Sequence, residues 1–136
     1  MKVMVCGAIS GVGASEIRRL QRLLRRHGFE VIDQLAGEGM DYSSVQDFRD
    51  KRELARRIVE RDIHLVQKAD VIVAISDWPS FGTGAELYIA KELGKRVILF
   101  SRRPVASPWP VALSDFIAGS EAELLRLLCG RGSPCP

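Results

Sequence analysis

Apolar positions along this chain alternate between short, nearly continuous β-branched runs and longer stretches with helical spacing. Val3 to Cys6, Phe29 to Ile32, Val71 to Ile75 and Arg96 to Phe100 read as strands, and the unbroken apolar run Val71 to Ile75 fits a parallel sheet covered on both sides. Ala14 to His27 has helical periodicity, with Ile17, Leu20, Leu23, Leu24 and His27 on one face and Gly28 as the stop. A second helix is predicted from Val45 or Phe48 to Lys68, a third ending at Leu93 before Gly94, and a last from Ser120 to Cys129. Gln34 to Ser44 has no clear period and reads as a binding loop or lid, and Arg102 to Pro110 as a proline-containing connection.

This alternation predicts an α/β protein: a single-domain, Rossmann-like or flavodoxin-like open parallel sheet of four to five strands with helices on both faces. The fifth strand stays open because the chain ends soon after the fourth. With 136 residues, 46% of them hydrophobic, there is material for one core, expected over residues 1–129 with a flexible tail at 130–136. The apolar runs are too short for a membrane span, and Lys2 leads straight into a strand without a signal sequence, so a cytoplasmic protein is expected. Cys6, Cys129 and Cys135 show no CxxC or Cys/His spacing that suggests zinc or a disulfide framework, and no metal or other cofactor is expected. The net charge of +3 and the cluster Arg18, Arg19, Arg22, Arg25 and Arg26 raise a nucleic-acid partner. The helix periodicity instead makes these arginines a solvated face, and no nucleic-acid or membrane partner is expected.

The candidate chemistry gathers at predicted strand ends. After Val71 to Ile75, the stretch Asp77-Trp78-Pro79-Ser80-Phe81-Gly82-Thr83-Gly84 breaks the pattern before Glu86, at the edge where open parallel sheets bind ligands. Gly7-Ala8-Ile9-Ser10-Gly11-Val12-Gly13 has the position of a phosphate-binding turn but neither the GxGxxG nor the P-loop spacing, so it serves either ligand approach or tight chain reversal. On the second helix Asp62 interrupts the apolar line Leu54, Ile58, Leu65 and Ala69. Its helical neighbours Ile58, Val59, Leu65 and Val66 are uncharged, and a buried carboxylate without compensation costs several kcal/mol, so Asp62 needs a polar cavity or a partner. Glu86 completes a possible capping box, Thr83-Gly84-Ala85-Glu86, and equally stands where a helix dipole would keep a nucleophile ionised. Trp78 and Trp109 flank the same region and suit either base stacking or anchoring of loops.

Asp62, Ala69-Asp70-Val71-Ile72-Val73-Ala74, Pro79-Ser80-Phe81-Gly82-Thr83-Gly84-Ala85-Glu86-Leu87 and Gly94-Lys95-Arg96-Val97 together resemble the nucleoside 2-deoxyribosyltransferase superfamily. Within it, Cys6-Gly7-x-Ile9 and Pro79-Ser80-x-Gly82-x-Gly84-x-Glu86-Leu87 are most similar to the 2'-deoxynucleoside 5'-phosphate N-hydrolases, and the likeness extends over Lys2 to Gly119. The resemblance implies an enzyme without a cofactor, whose Glu86 attacks the anomeric carbon of a (deoxy)nucleoside 5'-monophosphate. A glycosyl ester would form and then be hydrolysed, with Asp62 assisting base departure or positioning Glu86. It further implies substrate contacts from Gly7, Ile9, Ser10, Gly11, Ser80, Gly82 and Gly84, with Ser80 suited to a 5'-phosphate that an aspartate would repel. Ser114 would reach the phosphate from a neighbouring subunit, in a homodimer; as plain sequence it also reads as a helix cap. The chain departs from these hydrolases at Met4 or Val5, where they carry a tyrosine, and at Gly7-Ala8-Ile9-Ser10, where they carry Gly-Ser-Ile-Arg. Ser10, the amides of Gly11 and Gly13, or Arg102 or Arg103 would have to replace the lost arginine. Base exchange between deoxynucleosides is the alternative within enzymes, and a nucleotide-binding module that does not cleave is the alternative of another class.

Overall fold

In the computed structural model, which describes residues 1–130, ten elements follow one another: β1 (Lys2–Cys6), α1 (Gly13–Arg26), β2 (Glu30–Ile32), α2 (Arg52–Lys68), β3 (Val71–Ile75), α3 (Phe81–Glu92), β4 (Arg96–Phe100), α4 (Pro108–Ala112), β5 (Phe116–Ala118) and α5 (Glu121–Cys129). The strands form one sheet in the order β2-β1-β3-β4-β5, and every neighbouring pair is parallel. The tail expected at 130–136 lies, apart from Gly130, outside the described residues.

Strand β3, at the centre, is buried along its whole length, as its continuous Val-Ile-Val-Ala-Ile run requires. Its side chains alternate between two helix layers. Val71, Val73 and Ile75 join Val3, Val5, Ile98 and Phe100 against Ile17, Leu20 and Leu24 of α1 and Leu124 and Leu128 of α5. Ile72 and Ala74 join Met4, Cys6, Val97 and Leu99 against Val66 of α2 and Leu87 and Ala90 of α3. Burying each such Val, Leu or Ile side chain contributes about 1.5–3 kcal/mol, so both faces of the sheet are strongly held. Among the described residues, no helix is long and apolar enough to cross a membrane.

Several boundaries differ from the sequence reading. Helix α2 begins at Arg52, not near Val45 or Phe48. The Asp47 carboxylate accepts from the Arg49 backbone amide at 2.9 Å and from its guanidinium at 2.8 Å, a local turn that competes with helix. A fifth strand does exist. Asp115 secures its entry by accepting the Val97 amide at 2.8 Å while its own amide donates to the Val97 carbonyl at 2.9 Å. Within the proline-containing connection, Ser107 caps the short α4. His27 is not part of the inward stripe: it is exposed at the end of α1, its Nδ1 2.9 Å from the Leu23 carbonyl. Arg22, Arg25 and Arg26 are solvated as expected, whereas Arg18 holds Asp41 at 2.7 Å and Arg19 bridges Glu16 and Glu121.

The turn between β1 and α1 folds so tightly that a Cβ on Gly13 would lie 1.7 Å from the Ala8 carbonyl oxygen, an impossible contact with backbone. Gly13→Ala is expected to lower stability by about 2 kcal/mol or more, read as a lower urea midpoint at unchanged m-value.

Candidate active site

Strand parity and two helices bring the site together. Cys6, the last residue of β1, points into the α2/α3 layer, where Asp62 comes from the third turn of α2 and Glu86 from the second turn of α3. The Cys6 thiol donates to Glu86 Oε2 at 3.2 Å. The other oxygen, Oε1, faces the first turn of α3: a Cβ on Gly82 would lie 3.8 Å from it and 3.7 Å from Ser80 Oγ. Helix α3 starts at Phe81 with Ser80 as its cap, the Ser80 oxygen accepting from the Thr83 amide at 3.4 Å. The capping box expected of Thr83 and Glu86 is therefore not formed, and Glu86 is left for other work.

Burial pushes the Glu86 carboxyl up to about 8, with the neighbouring Asp62 adding to the rise and the Cys6 hydrogen bond opposing it. Asp62 is itself pushed up to about 6 by burial, against the pull of Arg61. The expectation that the helix dipole would keep Glu86 ionised is thus reversed: a dipole supplies about 0.3–1 kcal/mol, too little to offset desolvation beside a like charge. Near neutral pH the two carboxyls hold one proton between them, a coupled pair able to separate acid from nucleophile. Tyr42, from the loop before α2, closes on the same place; burial, then Asp62, Glu86 and Cys6, push its phenol up to about 12.

The remaining sequence candidates divide. Gly7 is buried where a Cβ would touch Ile17 and Ile75 at 3.4 Å, and Ile9 packs in the α1 core, so both shape the first turn from within. Ser10 and Gly11 are exposed at its rim, Gly11 with φ +63°, ahead of an α1 N-terminus that no side chain caps. Ser80 and Gly84 line a cavity of about 880 Å³ walled by Trp78, Phe81, Tyr88 and Trp109, which neither acid lines. Ser114 follows α4, its hydroxyl donating to the Val111 carbonyl at 3.0 Å. Arg102 is engaged by Glu16 and the buried Asp77, each at 3.3 Å, and Arg103 lies over Trp78. No group of three His, Cys, Asp or Glu among the described residues is arranged to hold a metal ion. Sequence reasoning missed Cys6 as a donor and Tyr42 as a wall. The parity of the first strand, read together with Asp62 facing inward, carried the signal for Cys6.

The raised Glu86 value carries a stability consequence. Between pH 4.5, the ordinary glutamate value, and about 8, the folded protein holds a proton that the unfolded chain has lost, so this group makes stability fall as pH rises through that window. Glu86→Gln should raise the melting temperature by several degrees at pH 8.5 and leave it nearly unchanged at pH 4, where both carboxyl forms are neutral; thermal melts at the two pH values check this.

The family model described as nucleoside 2-deoxyribosyltransferase matches residues 7–118. A 5-hydroxymethyl-dUMP N-hydrolase of Danio rerio is 29% identical over 125 residues, covering 92% of this chain and 82% of that protein. The structure of a 2-deoxyribosyltransferase from Bacillus psychrosaccharolyticus superposes with a TM-score of 0.70 at 18% identity, covering 91% of this chain and 90% of the other. That of a Clostridium botulinum CMP N-glycosidase does so with 0.55 at 19%, covering 94% and 98%. At these identities the two structures show a shared fold. With the family match running from the first turn to the last strand, the chain belongs to the nucleoside 2-deoxyribosyltransferase family, whose members are enzymes of N-glycosidic bond chemistry.

Proposed function

We propose that this protein hydrolyses the N-glycosidic bond of a (deoxy)nucleoside 5'-monophosphate, releasing free base and (deoxy)ribose 5-phosphate. The carrying observation is the pair of half-buried carboxyls, Glu86 and Asp62, pushed to about 8 and 6 at one place on the carboxyl edge of the sheet. Transfer of the shared proton to Asp62 leaves Glu86 as the nucleophile and Asp62 as the acid without changing the charge of the pair. Glu86 then attacks C1', the bond from C1' to the base nitrogen breaks, and its electron pair takes the Asp62 proton. Water next attacks C1' of the glycosyl ester, gives its proton back to Asp62, and Glu86 departs as carboxylate, which is retaining logic.

A monophosphate is favoured by the strand-end turns. The Ser80 oxygen is occupied in accepting the Thr83 amide, which leaves its O–H free to donate to an anion. The exposed Ser10 and Gly11 precede the N-terminus of α1, where the Gly13 amide donates to the Ser10 carbonyl at 3.2 Å and no side chain caps the amides that follow, in a helix long enough for its dipole to favour phosphate. The Danio rerio relative, a 5-hydroxymethyl-dUMP N-hydrolase, points the same way. Arg102 takes no part in this reading because two carboxylates already hold it. Around the 880 Å³ cavity, Phe81, Tyr88 and Trp109 are exposed, as are Val111, Phe116 and Ile117 beyond it. A second copy of the chain covering this apolar side would form the homodimer and bring its Ser114 towards the phosphate.

Incubation with separate deoxy- and ribonucleoside 5'-monophosphates, with free base followed by chromatography, tests the reading. Glu86→Ala is expected to lose turnover by on the order of 10³-fold or more, and Asp62→Asn by about 10²–10⁴-fold. Ser80→Asp should lose monophosphate hydrolysis while keeping its fold. A new nucleoside on adding a free acceptor base would convert the reading to base exchange, and tight binding without turnover to a binding module. Sedimentation of wild type should give a dimer, and Trp109→Glu a monomer with reduced turnover.

A further inference from the structure

We propose that Cys6 is a positioning residue for the Glu86 nucleophile: its thiol holds Oε2 and thereby leaves Oε1, the oxygen facing Gly82 and Ser80, as the one that attacks. The inference rests on the hydrolase reading and extends it to a residue outside the acid pair. Cys6 is fully buried at the carboxyl end of β1, paired in register with Ala74 of β3, so its side chain is fixed by the sheet and not by a mobile loop. Its Sγ lies 3.2 Å from Oε2, and burial together with Glu86 pushes the thiol well above its usual value, so it remains a donor throughout the working range.

The geometry is asymmetric in a useful way. A carboxylate has two equivalent oxygens on a rotatable bond, and a donor on one of them selects a rotamer and assigns the other to the open side. On that open side Gly82 has no side chain, and an added Cβ would sit within 3.8 Å of Oε1. The groups facing Glu86 are Cys6 from β1, Asp62 from α2 and Tyr42 from the preceding loop, with Arg61 acting on Asp62. Of these, Cys6 is the group whose hydrogen bond favours the ionised form of Glu86; Asp62 disfavours it.

The test compares wild type with Cys6→Ala and Cys6→Ser for base release across pH 5 to 10. Removing the donor is expected to lower kcat about tenfold with KM within about twofold, and to move the ascending limb of kcat/KM up by about one pH unit. Serine, which keeps a donor, should bring the limb back towards wild type. The infrared S–H stretching band gives a readout independent of turnover and of whether either Cys6 variant folds well. At pH 9 the Cys6 band should lie at lower frequency in wild type than in Glu86→Ala. A Cys6→Ala enzyme with the wild-type kcat and pH profile, or an S–H band unmoved by Glu86→Ala, overturns the proposal. Absence of base release from wild type would overturn the hydrolase reading, and the band would still decide whether Cys6 holds Glu86.

Discussion

A parallel strand covered on both faces must send alternate side chains into different helix layers, and in this protein that alternation decides where the chemistry goes. Even-numbered residues of β1 and β3 face α2 and α3, odd-numbered ones face α1 and α5. Cys6 therefore enters the layer that contains Asp62 and Glu86, while Val3 and Val5 supply only packing. A shift of one residue in the register of β1 would turn a valine towards Glu86 and the thiol towards α1.

The acid pair shows how the same packing that stabilises the fold sets the reactivity of the site. Desolvation is the largest influence on both carboxyls, and on Glu86 the charge of Asp62 adds to it. One proton is thereby retained near neutral pH, which suits a step needing both an acid and a nucleophile. That arrangement costs stability wherever Glu86 is ionised, so the fold carries the site against its own interest above neutral pH.

Helix α3 separates two environments. On one side Glu86 meets Cys6 and Asp62; on the other, Ser80, Thr83, Gly84 and Leu87 line the aromatic-walled cavity. Ser76 and Thr83 line that cavity with side-chain oxygens that have no hydrogen-bond partner among the described residues. The Ser80 to Gly82 segment is the point at which these two sides meet: Ser80 caps the helix, and the bare Cα of Gly82 faces Glu86 Oε1.

Periodicity and turn chemistry alone determined four parallel strands, the helices between them, and an inward acid at Asp62, because each depends on residues near in sequence. The same local signals made Glu86 a candidate through its place after a strand-end turn. They failed where distant partners decide. The fifth strand was set by the Asp115 hydrogen bonds to β4, and the ion pairing of Arg18 and Arg19 by Asp41 and Glu121. The protonation of Glu86 belongs to the tertiary structure for the same reason: its helix dipole is a local property, whereas the desolvation and the charge that overcome it come from residues many positions away.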